Sequence, residues 1–185
     1  GVWEKDVGRL GCGWAWCSIR HEGQLRGLHR GVASNKMIVQ IFKDAGERPD
    51  LFQWTGPIEP RALRDWVDRH NILLHRDIFD LLARTGGGDL FETETILSPF
   101  GGEVGGDNAV QANLFHRGQG LPSDHWLFHV GLAFSAVRQS DGVLATLSRG
   151  YSVAETFHDF DQWYVEVLRN EYEKRYGLSP LAKQK

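Results

Sequence analysis

The residue pair that could most directly perform chemistry is Glu92 and Glu94, which stand in the sequence FETETIL. The two glutamates are two positions apart, so on a β-strand their side chains would point to the same face. Two neighbouring carboxylates can act as general acid and general base when their surroundings separate their pKa values. The pair therefore supports one hypothesis of an enzyme, either a transferase or a glycan hydrolase.

The same pair has a second, non-catalytic interpretation. Glu-x-Glu pairs occur in arginine-directed ADP-ribosyltransferases, but those enzymes also carry an upstream arginine strand and a Ser-Thr-Ser strand, and no Ser-Thr-Ser occurs here. The alternative is a solvated face of an edge strand that also contains the apolar residues Phe91 and Ile96. We therefore predict no catalytic residue, and the enzyme using Glu92 and Glu94 remains the alternative.

The histidines and cysteines do not predict a metal site. His125 and His129 are four residues apart, and His116 lies upstream. In a strand, four residues span about 13 Å, which is too far for two side chains to bind one metal ion. Cys12 and Cys17 are five apart and match no zinc-binding pattern. We expect reduced thiols in a cytoplasmic protein, and the alternative, a local disulfide, would need an oxidising compartment. No cofactor is expected.

A mildly acidic interval between Asp89 and Asp107 suggests a surface for another protein. A negative surface attracts a basic partner, because opposite potentials steer the encounter. The predicted partner-binding residues are Glu92, Glu94, Glu103, Asp107 and Asn108.

The composition is that of an ordinary globular protein. The chain has 185 residues, of which 41% are hydrophobic and 24% charged, with a net charge of −3. This length is enough for one domain with its own core. The sequence has no basic stripe, so we expect no direct binding of nucleic acid. No apolar run is long enough for a membrane span, and the first residues do not have the pattern of a signal peptide.

In the first half of the chain, strands are expected before helices. The sequences WAWCSIR (14–20) and KMIVQIF (36–42) have the β-branched and aromatic content of strands, and residues 43–50 predict a turn or loop. A helix is expected to begin near Pro60, since proline is favoured in the first helical turn. A second helix is expected in HRDIFDLLARTGGG, ending at the glycines 86–88.

In the second half, strands precede one long helix. Residues 89–99 and 126–137 each predict a strand, and the Asp-Gly of QSDGV predicts a hairpin that leads into a partner strand over 143–150. The glycine-rich residues 101–125 predict an irregular segment. Residues 155–177 predict an amphipathic helix, capped by Asp159 with Gln162 in a capping box, that packs an aromatic face on a sheet. The residues of that face are Phe160, Trp163, Tyr164, Val167, Leu168 and Tyr172.

Three segments together resemble SMI1/KNR4 (SUKH) domains. HRDIFDLLARTGGGDLFETETILSP is similar to the family's helix, glycine turn and strand, and VGLAFSAVRQSDGVLATL resembles the following strand and Asp-Gly hairpin. VAETFHDFDQWYVEVL resembles the final short strand that leads into a helix. The segments occur in the family's order and cover about residues 58–176, leaving Trp- and Gly-rich strands over 1–57 and a tail over 177–185 of a single domain.

The resemblance implies an α+β fold, with a twisted, mostly antiparallel sheet and helices packed on one side. Bacterial members of the family commonly act as immunity proteins that bind and neutralise a cognate secreted toxin, and fungal members are regulatory adaptors. The expected function is therefore a non-enzymatic protein-binding module whose partner is a toxin or effector protein. No catalytic residue or cofactor is implied.

Overall fold

The computed structural model describes residues 36–101 and 107–181. The described residues form a seven-stranded sheet in which the strands follow one another in chain order and every neighbouring pair is antiparallel. The strands are β1 (Phe52–Trp54), β2 (Gly88–Leu90), β3 (Glu94–Ile96), β4 (His125–Val130), β5 (Phe134–Arg138), β6 (Leu144–Leu147) and β7 (Val153–Phe157). The predicted α+β class with a twisted antiparallel sheet is confirmed.

Along the chain, helices come before the first strand, between some of the strands and after the last strand. They are α1 (Lys36–Glu47), α2 (Pro60–His70), α3 (Arg76–Thr85), α4 (Ala109–Gly118), α5 (Phe160–Trp163) and α6 (Asn170–Tyr176). A π-helical segment (Tyr164–Arg169) joins α5 to α6, and residues 160–176 are called the C-terminal helix below. A single 3₁₀ turn (Pro49–Leu51) leads into β1.

One face of the sheet carries most of the helical packing. Trp66 of α2 meets Trp126 of β4 edge to face at 6.2 Å, and Phe42 of α1 meets Trp54 of β1 at 6.5 Å between ring centroids. On the same face, the C-terminal helix places Trp163 against the sheet. Helix α4 is different, because it packs its own side chains against the opposite face near β4 and β5.

Several local sequence signals act as predicted. Helix α2 begins at Pro60, and the Glu59 side chain accepts a hydrogen bond from the Ala62 amide at 2.9 Å. Helix α3 ends at Gly86 in the left-handed conformation, with φ of 73°. A side chain at Gly86 would also collide with the carbonyl oxygen of Gly56, so glycine is required there on two grounds. The Asp-Gly turn at Gly142 connects β5 to β6.

The aromatic face of the C-terminal helix is confirmed as part of the core. Five of its six predicted residues are at most 2% exposed, and Val167 is half-buried. The Asp159 carboxylate caps the helix by accepting from the Gln162 amide at 2.7 Å. The Gln162 side chain donates to Glu166 at 3.2 Å, which differs from the predicted capping box.

The strand predicted over 36–42 is wrong, because these residues begin α1, which continues through most of the predicted loop to Glu47. Ile41 is fully buried, and Phe42 and Ala45 pack against the core. Residues 41 and 45 are four apart and share one side of a helix. A short apolar run of this kind fits a buried helix as well as a strand.

Two segments predicted as single strands are hairpins. The segment predicted over 89–99 holds the end of β2 and all of β3, joined by a turn in which Phe91 and Glu92 have positive φ angles of 51° and 66°. Residues 126–137 contain β4 and β5, joined by a turn over 131–133. Neither turn contains an Asn-Gly or Asp-Gly pair, so the sequence offers no strong hairpin signal there.

Two further boundaries differ from the sequence prediction. The segment expected to be irregular over 101–125 contains α4, which Asn108 caps by accepting from the amides of Val110 and Gln111. The helix expected from residue 155 begins at Phe160, after β7. The strand predicted over 14–20 and the cysteines Cys12 and Cys17 lie outside the described residues.

Candidate functional site

A buried hydrogen-bonded cluster joins the middle strands to the C-terminal helix. Glu94 of β3 faces His129 of β4, with 2.8 Å between its Oε2 and the histidine Nε2. The Nδ1 of His129 lies 3.1 Å from Ser135 Oγ of β5, and Trp163 Nε1 donates to the same hydroxyl oxygen at 3.0 Å. Tyr172 donates its phenolic hydrogen to Glu94 Oε1. These five residues are called the Glu94 cluster.

The donors and acceptors of the Glu94 cluster are complementary. An ionised Glu94 only accepts hydrogen bonds, so His129 donates from Nε2, and in the neutral imidazole the Nδ1 then accepts from the Ser135 hydroxyl. Ser135 in turn accepts from the Trp163 indole. Each of these polar side chains is therefore matched with a partner, as buried polar groups require.

Electrostatics favour the ionised carboxylate in this setting. The pKa of Glu94 lies below its ordinary value of 4.5. Burial is the strongest influence and raises this pKa, but the hydrogen bonds from His129 and Tyr172, together with smaller contributions, lower it by more. The same contacts act in the opposite direction on the phenol: burial, and then the hydrogen bond to Glu94, raise the pKa of Tyr172.

The order Ser135, His129, Glu94 has the connectivity of a nucleophile, a base and an acid. However, all three side chains are at most 1% exposed. The Ser135 hydroxyl oxygen, which would attack a substrate, already accepts a hydrogen bond from the Trp163 indole. A nucleophile must be reachable by the reacting atom. In this arrangement the Glu94 cluster connects three strands to a helix, and no substrate has access to it.

A second buried cluster ties α1 to the C-terminal helix. Asp44 and Arg169 are both fully buried, and the Asp44 Oδ2 accepts from Arg169 Nε at 3.0 Å and from the Tyr164 hydroxyl at 2.8 Å. Arg169 also donates to Glu173 at 2.7 Å and to the backbone carbonyl of Ser179. Arg169 is the last residue of the π-helical segment, so the ion pair lies at the end of this irregular turn.

An open groove of about 340 Å³ along one side of α4 is accessible to a partner. It is called the α4 groove and is lined by Asp107, Asn108, Gln111, Ala112, Phe115 and His116. Phe115 is 64% exposed, and its neighbour Leu114 is 59% exposed. Asp107 supplies a negative charge at the start of the helix.

The inner wall of the α4 groove is held rigidly. The Nδ1 of His116 lies 2.7 Å from the Tyr151 hydroxyl, and its ring packs on Phe134 at 4.9 Å. Burial lowers the pKa of His116. Deeper in the same helix, the Asn113 side chain bonds both backbone groups of Leu127 in β4, at 2.8 and 2.9 Å. The exposed Phe115 therefore projects from a helix that the sheet fixes in place.

The four predicted partner-binding residues that the structure describes do not form one surface. Asp107 and Asn108 lie together in the α4 groove. Glu92 lies in the β2–β3 turn with a side chain that is 63% exposed, and it accepts from the Tyr176 hydroxyl. Glu94 is 1% exposed, so the prediction that it is a surface residue is wrong. Glu103 lies outside the described residues.

The predicted common face of Glu92 and Glu94 is also wrong. The left-handed backbone at Glu92 interrupts the strand, so the alternation that would align the two side chains does not apply. Strand β3 is an inner strand, between β2 and β4, and not an edge. Glu94 therefore points into the core, where a histidine and a tyrosine are available to bond its carboxylate.

Phe115 is not among the predicted binding residues, because the glycines of residues 101–125 predict an irregular segment there. The sequence nevertheless contains a helix signal. Asn108 followed by Gln111 is a capping pattern, and the good helix formers Ala109, Gln111 and Ala112 come directly after Asn108. The role of Ser135 was also missed. It depends on three adjacent strands and has no local pattern.

The described ranges contain no group of three or more His, Cys, Asp or Glu side chains arranged to hold a metal ion. In the same ranges, every helix is too short or too polar to cross a membrane. In comparison with known proteins, no protein-family model matches the chain, and no curated protein shows significant sequence similarity to it.

Proposed function

We propose that this chain is a non-enzymatic protein-binding module that uses the α4 groove. The observation that carries the proposal is the exposed Phe115, on a helix braced against the sheet and next to Asp107 and Asn108. A large aromatic side chain presented from a rigid element is the usual anchor of a protein interface. Contiguous exposed apolar residues with a polar rim mark interaction sites or ligand-binding grooves, and Leu114 and Phe115 are adjacent and both exposed.

The SUKH resemblance of the sequence gives the proposal its specific form. The protein is an immunity protein that works in the cytoplasm and blocks a cognate toxin by covering the toxin's active site. Its partner presents an apolar pocket for Phe115 and a basic group near Asp107, because opposite charges at an interface favour the correct encounter. The sealed Glu94 cluster supports this proposal, since it leaves those side chains without access to a substrate.

The test uses the protein encoded beside this one in its native genome as the candidate toxin. The wild-type chain, co-expressed with that toxin, is expected to restore growth of a bacterial host and to bind the toxin in calorimetry. The Phe115→Ala variant is expected to weaken binding by about tenfold or more, as for an interface anchor. The matched control is Leu73→Ala, an exposed apolar residue in the α2–α3 connection, which should bind as the wild type does.

Failure of the wild-type chain to bind and protect would contradict the proposal. So would an equal loss of binding in the Leu73→Ala control, because the α4 groove would then have no special role. A purified chain that turns over a substrate would favour the enzymatic alternative.

A further inference from the structure

Strand β7 is an open edge of the sheet. It is the last strand in the sheet order and pairs only with β6 among the described residues. Its first four residues, 153–156, are all exposed, while Phe157 is fully buried. An exposed strand edge presents unpaired backbone donors and acceptors, which is the feature that a partner strand recognises.

The register shows which backbone groups of β7 are free. The Arg138 amide donates to the Val143 carbonyl at 2.9 Å, so position 138 of β5 bonds toward β6. Backbone bonding alternates along an antiparallel strand, so Ala136 and Ala145, which are paired, also bond each other. The flanking residues of β6, Leu144 and Thr146, must then bond toward β7.

The partners of those two residues are Phe157 and Glu155. Thr156 stands between them, opposite Ala145, so its own N–H and C=O point away from β6. The Ser148 amide donates to the Ser152 carbonyl at 2.9 Å, which agrees with this alternation. Thr156 therefore offers one donor and one acceptor to a new strand.

Charge indicates what kind of strand fits. Glu155, beside Thr156, has an exposed carboxylate, and the exposed Asp159 follows four residues later. If two copies of this chain paired in antiparallel fashion through Thr156, Glu155 of each copy would be opposite Phe157 of the other and diagonal to its Glu155, on the same face of the sheet. Diagonal positions are about 7–8 Å apart, within reach of long side chains, so the two like charges would repel each other. The negative edge suits a strand with a cationic side chain better than a second copy.

We infer that β7 is a second interaction surface, which binds an extended segment of another protein by strand addition, with a lysine or arginine next to Glu155. The segment pairs its backbone with Thr156 and extends the sheet by one strand. Neither Glu155 nor Thr156 lines the α4 groove, so we expect binding here not to depend on Phe115.

The experiment uses three sets of blocked eight-residue peptides that alternate Val or Thr with Lys, Ser or Glu, measured by fluorescence anisotropy on the full chain. Thr156→Pro removes the free N–H and keeps the internal bonds, because edge strands accept proline where the N–H faces solvent. Thr156→Val is the matched control, since it keeps the N–H and the branched shape. Thermal unfolding checks that both variants fold.

The lysine peptides are expected to bind best and the glutamate peptides worst. Thr156→Pro should weaken binding by about fivefold to tenfold, as for one lost backbone hydrogen bond, and Thr156→Val by less than about twofold. Glu155→Lys should reverse the charge preference, and Phe115→Ala should leave peptide binding unchanged.

Three results would overturn the inference. The first is that no peptide set binds the wild-type chain. The second is that Thr156→Pro binds as well as Thr156→Val. The third is a dimer in sedimentation equilibrium that Thr156→Pro abolishes, because the occupant of the edge would then be a second copy. If Thr156→Pro fails to fold, the decisive variant is Glu155→Lys. The inference is then overturned if Glu155→Lys still binds the lysine peptides better than the glutamate peptides.

Discussion

At the scale of single residues, Glu94 shows how far a local pattern can mislead. Its spacing from Glu92 suggests a shared, solvated face, but the left-handed backbone of the intervening turn and the partners His129 and Tyr172 place it in the core. No feature of FETETIL specifies those partners, which come from β4 and the C-terminal helix. The Asp159 cap, by contrast, acts within three residues and was predictable.

The same residue makes a testable contribution to stability. The pKa of Glu94 in the folded chain lies below its ordinary value of 4.5, so the ionised form is stabilised by folding. This contribution is present above pH about 4.5 and is lost as the pH falls through the lower, folded pKa. We expect Glu94→Gln to lower the free energy of unfolding by about 2–3 kcal/mol at pH 7, typical of hydrogen bonds to a buried charge.

Urea denaturation of the wild type and of Glu94→Gln across pH 3–7 measures the difference in their free energies of unfolding. This difference should narrow below pH about 4.5. Glu92→Gln is the control, and its exposed side chain should contribute less than about 0.5 kcal/mol. A gap between wild type and Glu94→Gln that stays constant down to pH 3 would contradict the assigned ionisation.

At the scale of elements, the signals that were reliable are those set by backbone geometry. Pro60 begins α2, Gly86 ends α3, and Asp141-Gly142 turns β5 into β6. The identity of α1 was not predictable in the same way. Its apolar run is compatible with a strand, and its position depends on the pairing of Asp44 with Arg169, which is 125 residues away.

This pairing predicts strong coupling between α1 and the C-terminal helix. Removing one member of a fully buried ion pair leaves the other charge without its partner, which costs about 3–5 kcal/mol. We expect Arg169→Met to destabilise the fold by about that amount, and Asp44→Asn by less, because Arg169 keeps its bond to Glu173. The double variant should cost clearly less than the sum, because no uncompensated charge remains.

A double-mutant cycle in chemical denaturation measures the coupling. Lys43→Met is the control, since Lys43 forms an exposed ion pair with Glu47 at 3.9 Å that should contribute less than about 1 kcal/mol. Additive effects of Asp44→Asn and Arg169→Met would mean that the two helices are not held together by this pair.

At the scale of the whole molecule, the sheet is a meander in which each strand pairs with the next one described along the chain. The sequence indicated the class, because its hairpin signal and helical face both require a sheet. It did not indicate seven strands, since the turns at 91–93 and 131–133 lack turn motifs. Of the residues that line the α4 groove, the sequence predicts Asp107 and Asn108. It does not predict Phe115, because the glycines of residues 101–125 indicate an irregular segment.

The meander leaves β7 as an edge, and this makes a prediction for amide hydrogen exchange of the free protein. The amides of Glu155 and Phe157 face β6 and should be protected, whereas the Thr156 amide faces solvent. We expect Thr156 to exchange about a hundredfold faster than both neighbours, because exchange reports local hydrogen bonding. Strands β4 and β5 are inner strands and provide the protected reference within the same spectrum. If Thr156 were as slow as Glu155 and Phe157, its amide would already be bonded in the free chain, and β7 would have no vacant edge for a partner strand.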